Sequence, residues 1–328
     1  MTAGEGRKEK MYRLLAADIG GTHSRFAYFI LEDDGSLHLM DLIWFPTRAS
    51  SSFGELLSNL KKTAFPLLPE EADMVGLAIA GPVKGGVFSH PPFIPWEIDL
   101  SRAHHDFGFR RFFLINDFVA QAYGCLSPAG KKVEIIHRGE PVEEAPLGVL
   151  GGGTGFGKAI LIPLPNGRFL ALPSEGGHGA FPLVRREEWA FREFLLKTEG
   201  SHYVTINQVL SGRGVVALFE FLTGQHFTPE EAEVRLKSES VVLLWLARFF
   251  GRVVRDFALS LLLMRGVYIA GGVAVRNPEI VHHSAFLEEF LSSSTMREVL
   301  TAIPLYLLKD ENSGLWGVAQ KAKEELAL

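Results

Sequence analysis

The chain has 328 residues, 47% of them apolar and 22% charged, which is enough to build one large domain or, more readily at this length, two. Its net charge is −5 and no basic stripe with interleaved aromatic residues occurs, so nucleic acid is not expected as a partner. The one cysteine, Cys125, excludes an intramolecular disulfide framework and a cysteine-rich zinc site, and it fits a cytoplasmic protein.

The start of the chain is charged and has no apolar run long enough for a signal peptide, so residues 1–10 are expected to be a disordered tail. From Met11 onward, apolar runs separated by turn residues predict an α/β domain. The predicted strands are residues 13–17, 25–31, 38–45, 74–80 and 111–115, and the predicted helices are residues 52–64, 101–107 and 118–123.

A polar stretch at residues 137–146 predicts a loop between two units, and the same plan begins again after it. The run at 241–264 is apolar enough to suggest a membrane span, but three arginines and Asp256 interrupt it, so a buried helix is predicted and no membrane partner is expected. The other predicted helices are 186–198, 206–222, 229–236 and 314–326, and the predicted strands are a run before the glycines at 151–153, then 158–163, 168–172, 267–270 and 304–308.

Two short sequence echoes suggest an internal duplication. The stretch GGT at residues 20–22 leads after three residues into an apolar run, and so does the GGT at residues 152–154. Likewise, IAGPV at residues 79–83 resembles IAGGV at residues 269–273. Each echo is weak alone, but both occur in the same order within each half, and they therefore favour two related domains.

The most glycine-rich stretch lies at residues 149–159 and reads VLGGGTGFGKA. It nearly matches the Walker A pattern, but Ala159 stands where that pattern needs a hydroxyl, and a strand rather than a helix is predicted to follow. Two interpretations remain: a plain hairpin turn, or a turn whose amides bind an anion with help from Thr154. The similar turn at Gly20 favours a pair of phosphate-binding turns.

Two carboxylates follow predicted strands. Asp18, at the first glycine turn, could hold Mg²⁺ directly or through water between phosphate oxygens, or it could only cap the turn. Asp117 follows Asn116 directly after the strand at residues 111–115. There Asp117 could accept a proton from an attacking hydroxyl that Asn116 orients, as phosphoryl transfer requires. The alternative is that the pair only caps the next helix.

The stretch PSEGGHGAF at residues 173–181 places Glu175 and His178 three residues apart between glycines. These side chains could converge on one small polyhydroxyl ligand, form a metal pair, or belong to a structural turn. A metal pair is disfavoured because no further ligands cluster near it in the sequence.

Together these motifs resemble those of the bacterial glucokinase family, which has the actin-like, hexokinase-like ATPase fold. The resemblance covers almost the whole chain from Met11, and the matching stretches are, in order, LLAADIGGTHSRFAYF, FFLINDFVAQAYG, VLGGGTGFGKA, LPSEGGHGAF, VLSGRG, GVYIAGGV and IPLYLLKDENSGLWG. It implies two ribonuclease H-like α/β domains, each with a mixed sheet flanked by helices, and an active site in the cleft between them. The implied small domain comprises residues 11–117 and 310–328, and the implied large domain comprises residues 118–309.

The resemblance also implies ATP-dependent phosphorylation of glucose at its 6-hydroxyl, a step of glycolysis, with Mg²⁺ as cofactor and Asp117 as general base. Sugar hydroxyls would be bound by Asn116, Asp117, Glu175, His178 and Asn207. The phosphates and Mg²⁺ would be bound by Asp18, Ile19, Gly20, Gly21, Thr22, Gly153, Thr154 and Gly155, and the adenosine would approach Gly271 and Gly272.

Three positions depart from the pattern that this family usually shows. Asn207 stands in TINQVLSG where a glutamate is usual, which puts the sugar preference in question. His23 replaces an asparagine, and SHPPFIPW at residues 89–96 lacks the usual Thr-Asn. A kinase for another hexose or amino sugar, and a non-catalytic sugar or nucleotide sensor, are therefore the alternatives. A homodimer is expected from the exposed faces of the long helices.

Overall fold

The computed structural model describes residues 11–326, so the tail predicted at residues 1–10 lies outside the described residues. The strands are β1 (Tyr12–Ile19), β2 (His23–Leu31), β3 (Leu37–Pro46), β4 (Met74–Ile79), β5 (Phe88–Ser89), β6 (Ile98–Asp99), β7 (Phe112–Asn116), β8 (Val133–His137), β9 (Leu147–Gly152), β10 (Phe156–Pro163), β11 (Phe169–Ser174), β12 (Gly266–Ala270) and β13 (Leu305–Leu308). The helices are α1 (Phe53–Lys61), α2 (Ala103–Asp106), α3 (Asp117–Gly124), α4 (Glu188–Glu199), α5 (Ile206–Leu210), α6 (Gly212–Thr223), α7 (Pro229–Leu236), α8 (Ser240–Leu261), α9 (Gly272–Arg276), α10 (Glu279–His282), α11 (Ser284–Phe290), α12 (Arg297–Ala302) and α13 (Ser313–Leu326).

Packing divides the chain into two compact units. Among the described residues, the first unit contains residues 11–129 and 311–326, and the second unit is Gly130–Asp310. The first unit is thus discontinuous, because the chain returns to it after the second unit has been completed.

The first unit contains a five-stranded sheet with the order β3-β2-β1-β4-β7. The pairs β1–β2 and β2–β3 are antiparallel, whereas β1–β4 and β4–β7 are parallel. The central strand β4 has the sequence MVGLAI, and all of its residues are buried. Such a continuous apolar run is typical of a parallel strand that is covered on both faces.

The second unit repeats this arrangement. Its six-stranded sheet has the order β11-β10-β9-β12-β13-β8, with β9–β10 and β10–β11 antiparallel and β9–β12 and β12–β13 parallel. The strand β8 is an additional antiparallel edge next to β13. The shared order of the other strands is what the two sequence echoes predicted for a duplication.

The C-terminal helix α13 covers one face of the first sheet. Its Leu315 and Val318 are buried with Leu14, Ala27 and other residues of β1 and β2. The helix also approaches α3 closely, since a Cβ added at Gly317 would lie 1.7 Å from the carbonyl oxygen of Ala120. A glycine is therefore required at this contact, and α13 is an integral part of the first unit.

The helix α8 runs through the core of the second unit, and Phe250 and Val254 are among its buried residues. It confirms the buried helix predicted there, although the helix ends at Leu261, before Leu262 adopts a left-handed φ of 46°. Within the part of the chain that the structure describes, no helix is both long and apolar enough to cross a lipid bilayer.

A buried ion-pair network ties α8 to its neighbours. Arg252 of α8 is fully buried and donates two hydrogen bonds to Glu188 of α4, at 2.8 and 2.9 Å. It also donates to Glu289 of α11 at 2.9 Å and to the carbonyl oxygen of Pro182 at 2.7 Å. Arg185 adds a second contact to Glu289, at 2.8 Å. The buried arginine is thus paired with charges and fully engaged, as its burial requires.

Some predicted elements were wrong. The single helix predicted at residues 206–222 is two helices, α5 and α6, because Ser211 is extended (ψ 172°) and its hydroxyl caps α6. The strand β8 was not predicted, nor were the four short helices between Gly272 and Ala302. Most of the other boundaries differ from the predicted ones by one to three residues.

Candidate active site

The first glycine turn joins β1 to β2 and is closed by a threonine that lies far away in the sequence. The amide of Gly20 donates to the carbonyl oxygen of His23 at 2.9 Å. Thr47 fastens the turn from the side: its hydroxyl donates to the carbonyl oxygen of Gly20 at 2.7 Å, and its amide donates to that of Thr22 at 2.9 Å. Thr47 therefore binds only main-chain oxygens of the turn, and the hydroxyl of Thr22 takes no part in these contacts.

Asp18 lies next to the last residue of β1 and is partly buried. Its carboxylate makes no hydrogen bond or ion pair to any residue that the structure describes. A Cβ on Gly314, at the start of α13, would lie 3.1 Å from Asp18 Oδ2, so the start of α13 lies close to this carboxylate. Burial raises the pKa of Asp18, and the charge of Arg25 opposes this rise. The carboxylate oxygens of Asp18 are thus available to accept hydrogen bonds or to coordinate a metal ion.

Arg25 is a candidate that the sequence did not reveal. It is the cross-strand partner of both Asp18 on β1 and Trp44 on β3. Its guanidinium lies 4.2 Å from the centroid of the Trp44 ring, and Nη1 donates to the carbonyl oxygen of Glu311. A cation is thereby fixed beside Asp18. Only the register of the β1–β2 hairpin could have indicated this, because Arg25 lies outside the glycine motif itself.

Asn116 and Asp117 lie where β7 ends and α3 begins. Asn116 caps α3, since its Oδ1 accepts from the amides of Phe118 at 2.9 Å and Val119 at 3.3 Å. Its Nδ2 donates to the carbonyl oxygen of Gly81 at 3.1 Å. Asn116 therefore caps α3, and its predicted contact with the sugar stays a prediction. Asp117 is the first residue of the helix, and its Oδ1 accepts from the amide of Phe118 at 3.0 Å.

Strand register brings these groups to one edge of the first sheet. Ile19 is paired with Ile79, and Ile79 is paired with Asn116, across three parallel strands. Neighbouring strands lie about 4.8 Å apart, so the two outer positions are separated by about 10 Å. The first glycine turn and the Asn116–Asp117 pair thus occupy the same carboxyl end of the sheet in the first unit.

The second glycine turn joins β9 to β10 in the second unit. The amide of Gly153 donates to the carbonyl oxygen of Gly155 at 2.7 Å, and the amide of Gly212 donates to that of Gly153 at 2.9 Å. Gly271 packs against the end of β9 with φ +80°, and a Cβ there would lie 2.6 Å from the carbonyl oxygen of Gly152. The structure therefore brings the predicted phosphate turn and the Gly271–Gly272 pair together.

Glu175 and His178 lie on a short 3₁₀ turn after β11. Their Oε2 and Nε2 atoms are 3.9 Å apart, and both side chains are more than half exposed. The loop contacts the start of α5, because the carbonyl oxygen of Gly179 accepts from the amide of Ile206 at 3.1 Å. No cluster of three or more potential metal ligands occurs among the described residues.

Asn207 is buried at the start of α5, beside the second glycine turn. Only 8% of its surface is exposed, and its Oδ1 accepts from the amide of Phe156 at 2.9 Å. This hydrogen bond fixes the end of the second glycine turn to α5. Nδ2 makes no hydrogen bond to any described residue, and the predicted sugar contact stays a prediction.

Comparison with known proteins shows which family the chain belongs to. The family model described as Glucokinase matches residues 15–325. This chain belongs to the glucokinase family. A glucokinase from Nostoc punctiforme is 29% identical over 345 residues, which cover 94% of this chain and 98% of that protein.

Solved structures agree with this assignment. A glucokinase from an Antarctic psychrotroph superposes with a TM-score of 0.79 at 26% identity, covering 94% of this chain and 98% of that one. A ROK family glucokinase from Streptomyces griseus, solved in complex with glucose and AMPPNP, has the same fold, with a TM-score of 0.60 at 18% identity over 95% and 99% of the two chains. The resemblance to bacterial glucokinases and the actin-like fold that it implied are thereby confirmed.

Proposed function

We propose that the protein is an ATP-dependent glucose kinase, which transfers the γ-phosphoryl group to the 6-hydroxyl and releases glucose 6-phosphate and ADP. The observation that carries this proposal is the match of the Glucokinase family model across residues 15–325. Relatives named glucokinase match end to end, which favours a kinase over a non-catalytic sensor. ATP is a cytoplasmic substrate, so we also propose a cytoplasmic location.

We assign the chemistry to Asp117, which lies beyond the carboxyl end of β7. Its carboxylate would accept the proton of the attacking 6-hydroxyl as that oxygen bonds to phosphorus, the division of labour expected in phosphoryl transfer. Asn116 holds the start of α3 through its cap and leaves Nδ2 partly free for the sugar. Glu175 and His178, both well exposed on their turn, would bind other hydroxyls.

We assign the phosphates of ATP to the two glycine turns. Main-chain amides of Gly21 and Thr22 in one turn, and of Thr154 and Gly155 in the other, would donate to phosphate oxygens. Gly20 and Gly153, whose amides close the turns, would line the phosphate sites without a side chain. Ile19 ends β1 and would orient the first turn, and Gly271 and Gly272 would approach the adenosine.

Asp18 fits a site for Mg²⁺. Its carboxylate is free of hydrogen bonds to described residues, and Mg²⁺ is typically held by one or two carboxylates with the substrate phosphates and water. When bound, the cation would supply positive charge that neutralises the phosphate oxygens. Arg25, fixed beside Asp18, would limit how negative this site becomes.

The proposal is tested by measuring ADP release from Mg-ATP by the purified protein, without sugar and with glucose, mannose, fructose or N-acetylglucosamine. Strong release that depends on glucose is the expected result. Release with another sugar alone would keep the reaction and change the substrate. If no sugar stimulates release, the catalytic proposal is wrong and sugar binding without turnover becomes the function to measure.

A further inference from the structure

Gln121 lies on α3 one helical turn after Asp117, and it is held by the start of α13. Residues four positions apart lie on the same face of an α-helix, so Asp117 and Gln121 share one face of α3. The hydroxyl of Ser313, which is only 3% exposed, donates to Gln121 Oε1 at 2.6 Å. This contact occupies the amide oxygen and leaves the amide nitrogen, Nε2, on the other side of the group.

The amide nitrogen of Gln121 is an unused hydrogen-bond donor. Nε2 makes no hydrogen bond to any residue that the structure describes, and the atom is not buried. The nitrogen of a side-chain amide can donate but cannot accept. The partner that it lacks is therefore an oxygen that accepts.

This donor lies close to the carboxylate of Asp18. A Cβ on Gly314 would lie 3.1 Å from Asp18 Oδ2 and 3.5 Å from Gln121 Nε2, so both atoms are next to the same point at the start of α13. The carboxylate and the amide nitrogen are not bonded to each other, since neither has a hydrogen-bond partner among the described residues. A ligand that binds beside Asp18 would therefore come within reach of Nε2.

The proposed reaction indicates which oxygen the ligand would offer. Asp117 would take the proton of the hydroxyl that attacks the γ-phosphorus, so the γ-phosphate is the phosphate group nearest to Asp117. Asp18 fits the site for the Mg²⁺ that accompanies the phosphates, and this cation would offset the repulsion between the carboxylate and a phosphate oxygen. Gln121 shares a helix face with Asp117 and lies beside Asp18, which places its donor near the γ-phosphate.

We infer that Gln121 binds the γ-phosphate of ATP by donating a hydrogen bond from Nε2 to one of its oxygens. The inference rests on the proposed function for the identity of the ligand. It adds a side-chain donor to the main-chain amides of the first glycine turn. ADP has no γ-phosphate, so this contact favours the substrate nucleotide over the product nucleotide.

The experiment measures the dissociation constants of ADP and of AMPPNP, an ATP analogue that keeps a γ-phosphate, with Mg²⁺ present and without sugar. Gln121→Met keeps the length of the side chain and removes the donor. The matched control is Gln225→Met, because Gln225 is exposed on the loop after α6. Denaturant unfolding shows whether each variant is folded.

We expect Gln121→Met to weaken AMPPNP binding about tenfold or more, the value of one hydrogen bond to a charged group, while ADP binding changes by less than about twofold. The control should bind both nucleotides like the native protein. If Gln121→Met does not fold, Gln121→Glu takes its place, since it keeps an oxygen for the Ser313 hydroxyl and also lacks the donor.

The inference alone is overturned if the native protein binds AMPPNP and the folded variant binds it equally well. It is also overturned if the variant loses ADP affinity as much as AMPPNP affinity, because Gln121 would then not recognise the γ-phosphate. A native protein that binds neither nucleotide would overturn both this inference and the proposed function.

Discussion

The carboxylate of Asp117 is the single group on which the proposed reaction depends most. It occupies the first position of α3, immediately beyond β7, while the neighbouring Asn116 performs the structural task of capping the helix. The two residues therefore have separable roles. Replacing Asp117 leaves the cap intact, so the effect on chemistry can be measured without melting the helix.

We expect Asp117→Asn to lower kcat by about 10²–10⁴-fold, the usual contribution of a general base, while the dissociation constant for glucose changes little. The reason is that asparagine keeps polar contacts but cannot take the proton. Steady-state kinetics and sugar titration measure the two quantities. Asp99→Asn is the control, since Asp99 is exposed and accepts from the amide of Ser101 at 2.8 Å. Turnover near that of the native protein would remove Asp117 from this role.

The two glycine turns are the elements that the sequence predicted best. Their position between paired strands follows from the apolar runs on either side, and the structure has both hairpins. The sequence did not predict the hydrogen bonds that distant residues make to these turns. Thr47 closes the first turn and Gly212 donates to the second, and nothing in the local pattern of either turn points to these partners.

The same cause explains the errors in the helices. Residues 206–222 have the apolar period of one helix, but the break at Ser211 lets the amide of Gly212 reach the carbonyl oxygen of Gly153, a contact made in three dimensions. Asn207 was identified as a polar residue of the site, yet its bond to Phe156 could not be read from spacing. The sequence thus predicted which residue types form the candidate site. It did not predict the hydrogen bonds from distant residues that hold them in place.

Gly152 and Gly153 allow the role of the second turn in stability to be measured separately from its proposed role in binding ATP. A Cβ on Gly153 would meet no atom within 4 Å, whereas a Cβ on Gly152 would lie 2.1 Å from the carbonyl oxygen of Leu210. We expect Gly153→Ala to keep the free energy of unfolding within about 0.5 kcal/mol. It should raise the KM for ATP roughly tenfold or more, because the added methyl group would project into the open space proposed for the phosphate, and displacing the phosphate from one charge-assisted hydrogen bond costs about 1.5–3 kcal/mol.

Gly152→Ala is the matched variant, and it should lower the free energy of unfolding by about 1–3 kcal/mol through overpacking. Denaturant unfolding and ATP-dependent kinetics on both variants measure these effects. An unchanged KM for ATP in a folded Gly153→Ala protein would argue that the turn is only a hairpin.

At the scale of the whole molecule, stability at acid pH depends on the buried ion-pair network of the second unit. Burial alone would raise the pKa of Glu289, but hydrogen bonds and charge from Arg252, and then from Arg185, outweigh it and hold the pKa below its ordinary value of 4.5. A carboxyl group with a lowered pKa contributes stability above its ordinary pKa. That contribution is lost as the pH falls through the lower pKa of the folded state.

We therefore expect the free energy of unfolding of the native protein to fall as the pH drops below about 4.5, the ordinary pKa of the Glu289 carboxyl. Glu289→Gln should be less stable at pH 7 by about 3–5 kcal/mol, because Arg252 loses a buried partner. The difference between the two proteins should shrink as the pH falls. Guanidinium unfolding from pH 7 to pH 3 measures it, with the exposed Glu193→Gln as control. A difference that is constant across this range would contradict the assignment.

The return of the chain to its first unit also has a consequence for biosynthesis. The face of the first sheet that contains Leu14 and Ala27 is covered by α13, whose residues leave the ribosome last among those described. The nascent first unit must wait with this apolar face uncovered while the whole of Gly130–Asp310 is translated. Exposed apolar surface during synthesis favours aggregation and recruits chaperones. In this protein the unit that is made first is therefore the one whose folding is completed last.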